Sequence, residues 1–194
     1  MSRAPAHSWP LVLRAGETIL RPLRRRDRRA WDQVRENNRE WLTKWEATRP
    51  EVPGENSNRK LPTFSQMIRI HGSEGRAGRS FNLAIWHKND LVGQITLGGV
   101  VFGALRGAYI GYWIDQKYAN QGITTHAVAV ITKFAFDELN LHRIEINLRP
   151  ENAASRRVAE KAGYQLEGER PRFLHIDGQW RDHLCFVKEN PRIL

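Results

Sequence analysis

The chain begins with short alternating segments and continues into a helical pattern. Residues 9–23 alternate loosely between apolar and polar positions around the turn pair Gly16-Glu17, which predicts a hairpin or two short strands. From residue 27 to about residue 45, apolar side chains recur on one side, which predicts a helix. Residues 48–62 are rich in proline, glycine, asparagine and serine, and this composition predicts a mobile loop.

The middle of the chain predicts a second helix and three strands. The helix extends from Thr63 to His71, where a glycine-rich stretch is expected to end it. Strands are expected over 81–86, 91–102 and 108–114. Tyrosine, isoleucine and tryptophan in the third of these suit a pleated surface.

The remaining chain alternates strands and helices. Spacings of 4, 3, 1 and 3 place five apolar residues on one face of a helix that Gly122 opens, namely Ile123, Ala127, Val130, Ile131 and Phe134. A strand over 142–148, a short helix over 151–162 and a hairpin turning at Asp177-Gly178 follow. This order predicts an α+β (mixed α/β) fold with one central sheet, and no linker divides the chain into two domains.

The composition agrees with a single globular domain and excludes several protein classes. The chain has 194 residues, and 40% apolar residues are enough to bury a core. One cysteine excludes a disulfide framework, and the histidines show no paired spacing, so no metal site is expected. Neither a membrane helix nor a secretory signal is visible in the sequence, so a cytoplasmic protein is expected.

The charge of the chain is strongly basic. The formal net charge is +10, which favours nucleic acid, an anionic membrane or a polyanionic small molecule as a partner. A generally basic, well-solvated surface has the same net charge. The charge therefore does not identify a partner by itself.

Residues 109–128 have the pattern of a phosphate site. A strand ends near Asp115, a loop follows, and Gly122 opens a long helix. The first turn of a helix binds phosphate because its backbone N–H groups are free and carry a partial positive charge. A glycine there lets a pyrophosphate approach the backbone, and Thr124 and Thr125 add hydroxyl donors. An ordinary glycine-containing connection has the same appearance.

A second segment, residues 142–168, joins a strand to a short helix through Asn152 and Ser155 and ends with Lys-x-Gly-Tyr. The two segments together resemble the Gcn5-related N-acetyltransferase (GNAT) superfamily. The first is similar to its acetyl-CoA pyrophosphate loop, Q/R-x-x-G-x-G/A, and the second to the motif that holds the pantetheine and the thiol. Gly122 agrees with the loop pattern, whereas Ala119, Asn120 and Thr124 depart from it.

The order of further segments resembles one branch of that superfamily, the RimJ/RimL ribosomal-protein N-terminal acetyltransferases, and RimJ most closely. The segments are LRPLRRRDRRAW, ENNREWLTKWE, GYWIDQKYANQGI, HRIEINLRPEN and FLHIDGQWRDHLCF. The resemblance covers roughly residues 17–188. It implies a GNAT fold, with a central, mostly antiparallel twisted sheet of about six to seven strands and about four flanking helices.

The resemblance also implies the activity. Acetyl-CoA is the expected cofactor, and the acetyl group passes to the α-amino group of a protein N-terminus, for example that of a ribosomal protein, by direct attack in a ternary complex. The residues that the resemblance places at the cofactor site are Trp113, Ile114, Asn120, Gln121, Gly122, Ile123, Thr124, Thr125, Asn152, Ser155 and Lys161. Arg156, Arg157 and Lys161 are expected near the CoA 3′-phosphate.

Two residues are the catalytic candidates. Ser155 is assigned to the leaving thiolate, because Ala159 replaces the tyrosine that many relatives use as general acid, and because RimJ/RimL-type enzymes resemble this chain in having a serine at that place. Ser155 can also act only as a helix cap, and the two roles are compatible. Asn147 stands where RimI-type enzymes have a glutamate; an amide is not a base, but it can hold a water that relays the proton. The other candidates for the base are Glu145, Asp115, His175 and Glu46.

The acceptor side is expected to include Trp41, Trp45, Glu46 and His175. Aromatic walls beside a carboxylate suit a cationic peptide N-terminus, although both tryptophans also suit a core at helical spacing. Two alternatives stay open: an acetyltransferase for a small amine such as an antibiotic or a polyamine, and a non-catalytic basic module that binds RNA or the ribosome. Ribosome association is a further expectation, without a membrane partner or specific nucleic-acid readout.

Overall fold

The first alternating segment forms one edge of a sheet. The computed structural model describes residues 8–54 and 61–193, and in it this segment contains strands β1 (Leu13–Ala15) and β2 (Thr18–Arg21). Gly16, at a φ of 57°, makes the turn between them, where a residue without a Cβ avoids backbone strain. The predicted hairpin is therefore confirmed.

The helix predicted over residues 27–45 is interrupted. It forms α1 (Arg28–Asn37) and α2 (Arg39–Thr43), and Asn38 between them has a non-helical backbone. The Asn38 side chain is buried; its Nδ2 donates to the Val34 carbonyl at 2.9 Å and its Oδ1 accepts the Gln116 N–H at 2.9 Å. A single uninterrupted helix was the wrong prediction, because Asn38 is held by a distant loop.

The second helix is longer than its sequence predicts. Helix α3 (Phe64–Arg76) continues through Gly72 and Gly75, so the predicted end at His71 is wrong. Thr63 caps its start by accepting the Gln66 N–H. Of the predicted loop over 48–62, residues 55–60 lie outside the described residues, and the described ones on either side form neither a helix nor a strand.

The rest of the chain follows the predicted alternation closely. The elements, in order, are β3 (Phe81–His87), β4 (Asp90–Val101), β5 (Gly107–Ile114), α4 (Ile123–Asp137), β6 (Arg143–Leu148), α5 (Ala153–Lys161), β7 (Gln165–Ile176) and β8 (Gln179–Glu189). The turn between β7 and β8 is at Asp177-Gly178, both with positive φ, as a tight hairpin requires.

All the strands belong to one sheet in the order β1-β2-β3-β4-β5-β6-β8-β7. Neighbouring strands are antiparallel except β5 and β6, which are parallel. The predicted mixed α/β architecture with one central sheet is confirmed. Within the described residues there are eight strands and five α-helices, more than the six to seven strands and four helices expected, because both strands of the first hairpin join the sheet and one helix is divided.

The two faces of the sheet carry different layers. The main core lies between one face and α4, where the rings of Phe81 and Phe134 meet edge to face at 5.1 Å. On the other face, Val34 of α1 packs with Leu91 and with the partly buried rings of Trp31 and Trp113. No helix in the described ranges is long and apolar enough to span a membrane.

Strands β5 and β6 separate halfway along their length. They pair only from Gly107↔Arg143 to Tyr109↔Glu145, yet β5 continues to Ile114 and β6 to Leu148. The last residues of both strands therefore border a gap in the middle of the sheet. The candidate site is built around this gap.

Candidate active site

The wall of the gap on the β5 side has free backbone groups. The Asp115 N–H donates to the Val92 carbonyl of β4 at 2.7 Å, so the backbone groups of alternate residues, Tyr112 and Ile114, face the gap. The Ile114 carbonyl accepts the indole N–H of Trp41 at 3.2 Å. The Ile114 N–H on the same side is a donor that no strand in the described part of the chain uses.

The start of α4 provides a second set of donors. Gly122 precedes the helix at a φ of 78°, and no side chain caps its first turn. The N–H groups of Ile123, Thr124 and Thr125 therefore have no partner within the helix. Asn120 also has a positive φ, 61°, which bends the loop before the helix. This arrangement suits an anionic group such as a phosphate.

A cavity of about 470 Å³ connects the gap with the start of α4 and with α5. All the residues predicted to bind the cofactor line it except Gln121, whose side chain donates to the Lys117 carbonyl at 2.8 Å. The Trp113 ring packs against Trp31, at 5.6 Å between centroids, on the sheet face that α1 covers. Arg157 and Lys161 line the cavity, whereas Arg156 is paired with Glu160 at 2.9 Å.

Ser155 lies in the cavity wall with its hydroxyl held by a tyrosine. The N-cap of α5 is Asn152, whose side chain accepts the Ser155 backbone N–H at 3.0 Å. The Ser155 hydroxyl is thus not needed as the cap; its Oγ lies 2.9 Å from the Tyr112 hydroxyl. Burial raises the pKa of Tyr112 to about 12.

Sequence reasoning placed Tyr112 in the strand expected to polarise the thioester carbonyl but missed the contact of its hydroxyl. The residue lines the cavity and contacts Ser155, which is 43 positions away in the chain. One signal was present: Tyr112 stands two positions before Ile114, and residues two apart on a strand share a face.

Asn147 occupies the opposite face of the sheet from Ser155. Ile144, Ile146 and Leu148 belong to the main core, so the residues between them on β6 face the other side. The Asn147 Nδ2 lies 3.4 Å from a Glu145 carboxylate oxygen. Its Oδ1 is buried and has no hydrogen-bond partner among the described residues, so it is an unused acceptor beside the gap.

Glu145 is poorly suited to take up a proton. Arg170 and Arg143 contact its two carboxylate oxygens at 2.7 and 3.1 Å. Burial raises the pKa of Glu145, but these hydrogen bonds and charges outweigh burial and leave the pKa below its ordinary value. The carboxylate is thus a weak base that holds two arginines and the Asn147 amide.

None of the candidates for accepting the proton belongs to the cavity lining, and this holds for Asn147 and Glu145 as well as for the remaining three. Asp115 accepts the Lys117 N–H at 3.0 Å. Glu46 is ion-paired with Arg35. The His175 ring lies 2.8 Å from the Thr48 hydroxyl, on the β7–β8 hairpin.

Helix α2 and the turn that follows it form the aromatic wall of the cavity. Trp41 and Trp45 both line it, as the predicted acceptor side requires, whereas Glu46 and His175 do not. The Arg149 guanidinium lies 5.3 Å from the centre of the Trp45 ring and donates to the Lys44 carbonyl at 2.8 Å. These contacts hold the turn after α2 against the residue that follows β6.

Comparison with known proteins connects this geometry to a family. The model of the acetyltransferase (GNAT) domain matches residues 17–165. Among curated proteins, the probable N-acetyltransferase YjcK of Bacillus subtilis is 40% identical over 113 residues, which are 57% of this chain and 62% of that protein. That match spans less than two thirds of the relative's length.

Two further relatives cover more of the chain. The ribosomal protein uS5-alanine N-acetyltransferase of Escherichia coli K12 is 28% identical over 170 residues, 85% of this chain and 84% of that protein. Among solved structures, Mycobacterium smegmatis RimJ in complex with CoA-disulfide has 35% sequence identity and a TM-score of 0.81. The match covers 95% of this chain and 90% of that one.

Proposed function

The chain belongs to the GNAT acetyltransferase family, and from this premise we propose that it transfers the acetyl group of acetyl-CoA to the α-amino group of a protein N-terminus, with a ribosomal protein as acceptor. One observation carries the proposal. Ser155 and Asn147 lie on opposite faces of the sheet beside the gap between β5 and β6. This placement lets a thioester enter from one face and an amine from the other.

The cavity residues fit acetyl-CoA. The free N–H groups at the start of α4 suit its pyrophosphate, and Arg157 and Lys161 provide positive charge for a further phosphate. Ile123 and Val158 provide apolar wall for the pantetheine. When bound, acetyl-CoA supplies an activated acetyl thioester.

The residues of the chain then have distinct tasks. The Ile114 N–H donates to the oxygen that becomes negative when the amine attacks the thioester carbonyl. The C–N bond forms and the C–S bond breaks. Ser155 gives its hydrogen to the leaving sulfur, and solvent restores it.

The amine needs only weak help to lose its proton. An α-amino group has a pKa of about 8, so an appreciable fraction is neutral near pH 7. The unused Oδ1 of Asn147 accepts a hydrogen bond from the amine or from a water that carries its proton away. The neighbouring carboxylate of Glu145 holds the Nδ2 of that amide and so directs Oδ1 away from itself.

Support for a protein acceptor comes from the relatives. The uS5-alanine N-acetyltransferase covers 85% of the chain and RimJ covers 95%. The aromatic wall of Trp41 and Trp45 suits the cationic end of a peptide. A small polyamine or an aminoglycoside would use the same cofactor half of the site, so only the acceptor distinguishes the two enzyme functions.

A panel of acceptors tests the proposal. CoA release is measured with peptides that begin with Ala, Ser, Met or Gly, with the same peptides carrying an Nα-acetyl block, and with spermine and aminoglycosides. We expect the highest kcat/KM for one of the free peptides and no release with its blocked form. Faster turnover of a small amine would overturn the protein acceptor, and absence of acetyl-CoA binding in isothermal titration would overturn both enzyme functions.

A further inference from the structure

Among the described residues, the Tyr112 hydroxyl has hydrogen-bond contacts with Ser155 alone. It lies three residues beyond the last β5–β6 pair, Tyr109↔Glu145, where the strands have separated. Its ring packs against the main core, and its hydroxyl lies 2.9 Å from the Ser155 Oγ and 3.3 Å from the Ser155 carbonyl. Both oxygens near this phenol thus belong to one residue, and because the phenol has a single hydrogen, the nearer Oγ is the better placed acceptor.

The direction of the hydrogen bond follows from the chemistry of the two hydroxyls. A phenol is a better donor than an alcohol, and burial keeps Tyr112 protonated by raising its pKa to about 12. A serine in a helix can otherwise turn its hydrogen back to a carbonyl of the preceding turn. When one lone pair of the serine oxygen accepts the phenol hydrogen, the serine hydroxyl presents its own hydrogen to the cavity.

We propose that Tyr112 is a positioning residue for the reaction: it donates to the Ser155 Oγ and so turns the Ser155 hydrogen toward the leaving sulfur of CoA. The inference rests on the proposed acetyl transfer. Tyr112 transfers no proton itself. As the Ser155 O–H bond breaks and the S–H bond forms, a water molecule returns a proton to Oγ in the same step, and the phenol hydrogen bond stabilises the partial negative charge that develops on Oγ.

The chain contains a matched control for this contact. Tyr164 is buried in the same core, and its hydroxyl lies 2.6 Å from the Thr132 hydroxyl. Burial raises its pKa as well. Tyr164 does not line the cavity. Replacement of either tyrosine by phenylalanine removes one buried tyrosine–hydroxyl hydrogen bond, and only one of the two touches the site.

The test compares Y112F, Y164F, S155A and the double variant Y112F/S155A. The measurements are kcat, KM for acetyl-CoA, CoA affinity by titration and the melting temperature, with whichever amine the wild-type protein acetylates. We expect Y112F to lower kcat about tenfold with KM for acetyl-CoA and CoA affinity within about twofold of wild type. Y164F should lower the melting temperature similarly and leave kcat within about twofold.

The double variant separates positioning from stability. If Tyr112 acts through Ser155, Y112F changes kcat by less than about twofold in the S155A background. Equal kcat for Y112F and Y164F, or a full Y112F effect without the serine, would overturn the inference and leave the proposed function intact. A wild-type protein that acetylates only small amines would overturn the peptide acceptor and leave this test valid. A protein that acetylates no amine would overturn both.

Discussion

Asp27 shows how burial and pairing determine the chemistry of one carboxylate. It is 5% exposed, receives hydrogen bonds from both Nη atoms of Arg21 at 2.7 and 3.0 Å, and accepts the Arg24 N–H at 2.7 Å. Burial raises the pKa of Asp27, but these bonds and the nearby arginines outweigh burial and lower it below its ordinary value. The carboxylate therefore stabilises the fold in its charged form.

Asp27→Asn should destabilise the protein by roughly 3 kcal/mol at pH 7, because Arg21 keeps its buried charge without a counterion. The folded pKa is lowered, so this stabilisation is complete above the unfolded value of about 3.9 and is lost as the pH falls below it. Urea unfolding at a series of pH values measures the free energy of unfolding of the wild type and of Asp27→Asn. The difference between the two free energies should become smaller as the pH is lowered. The control Asp32→Asn breaks the exposed pair with Arg28 and should change stability by less than about 0.5 kcal/mol. A difference that is constant with pH would contradict the ionic origin.

Ser155→Ala should lower kcat by about a hundredfold and change CoA affinity by less than about threefold. The helix start remains intact, because the Asn152 side chain caps the Ser155 backbone N–H, which alanine retains. Steady-state kinetics and CoA titration separate the two effects. A kcat within about twofold of wild type would show that the hydroxyl takes no part in the reaction.

At this scale, the sequence predicted the residues near a recognisable motif and missed those that depend on folding. Gly122, Asn152 and Ser155 all reached the cavity wall as expected. The contact of the Tyr112 hydroxyl was missed because its partner is 43 residues away. Asn147 was singled out because it stands where RimI-type relatives have a glutamate, and its role stays a prediction; only the structure shows its buried oxygen without a partner among the described residues and its contact with Glu145.

At the scale of elements, glycines decide where α3 can pack. A Cβ built on Gly75 would lie 2.1 Å from the Trp9 ring, whereas one on Gly72 would meet only the flexible Arg76 side chain, at 3.5 Å. The helix includes both glycines. Only Gly75 is required, because a side chain there would meet Trp9 in the segment before β1. Sequence patterns treat the two glycines alike.

Gly75→Ala should destabilise the protein by roughly 1–3 kcal/mol, because the Trp9 ring must move. Gly72→Ala is the matched control in the same helix. It should be neutral or stabilise by up to about 1 kcal/mol through helix propensity. Thermal and urea unfolding of the two variants measure the contrast. Equal effects of the two substitutions would contradict the close packing of Trp9.

Other elements show why the sequence alone could not predict the remaining boundaries. The strands and the long helix α4 could be predicted because their apolar residues recur with a clear period. The break at Asn38 depends on the Gln116 N–H, 78 residues later, and no local pattern contains that partner. The separation of β5 and β6, whose parallel pairing ends at Tyr109↔Glu145, likewise depends on two strands that are distant in the sequence. Contacts distant in sequence therefore form the gap that the site needs.

At the scale of the whole molecule, the charge of +10 is unevenly arranged. Five exposed arginines surround the start of α1, namely Arg24, Arg25, Arg26, Arg28 and Arg29. Cations are unfavourable at the positive end of a helix, and the one acid in this run, Asp27, is buried against Arg21. This arginine cluster is therefore a concentrated positive surface, and arginine forks suit the phosphates of RNA.

If the protein works at the ribosome, the arginine cluster should contribute to association through phosphate contacts. The variant R25E/R29E should bind ribosomes more weakly and lower the slope of log K against log salt by about 1 to 2, since each lost phosphate contact removes about 0.7–0.9 of slope. The new glutamates are favourable at a helix start, so the fold should persist.

The control R69E/R76E changes net charge equally on α3 and should keep the wild-type slope. Cosedimentation at several salt concentrations measures the slopes, and equal slopes for both variants would show that only net charge matters. Acetylation of a short peptide should be unchanged in R25E/R29E, because the cluster lies outside the cavity lining.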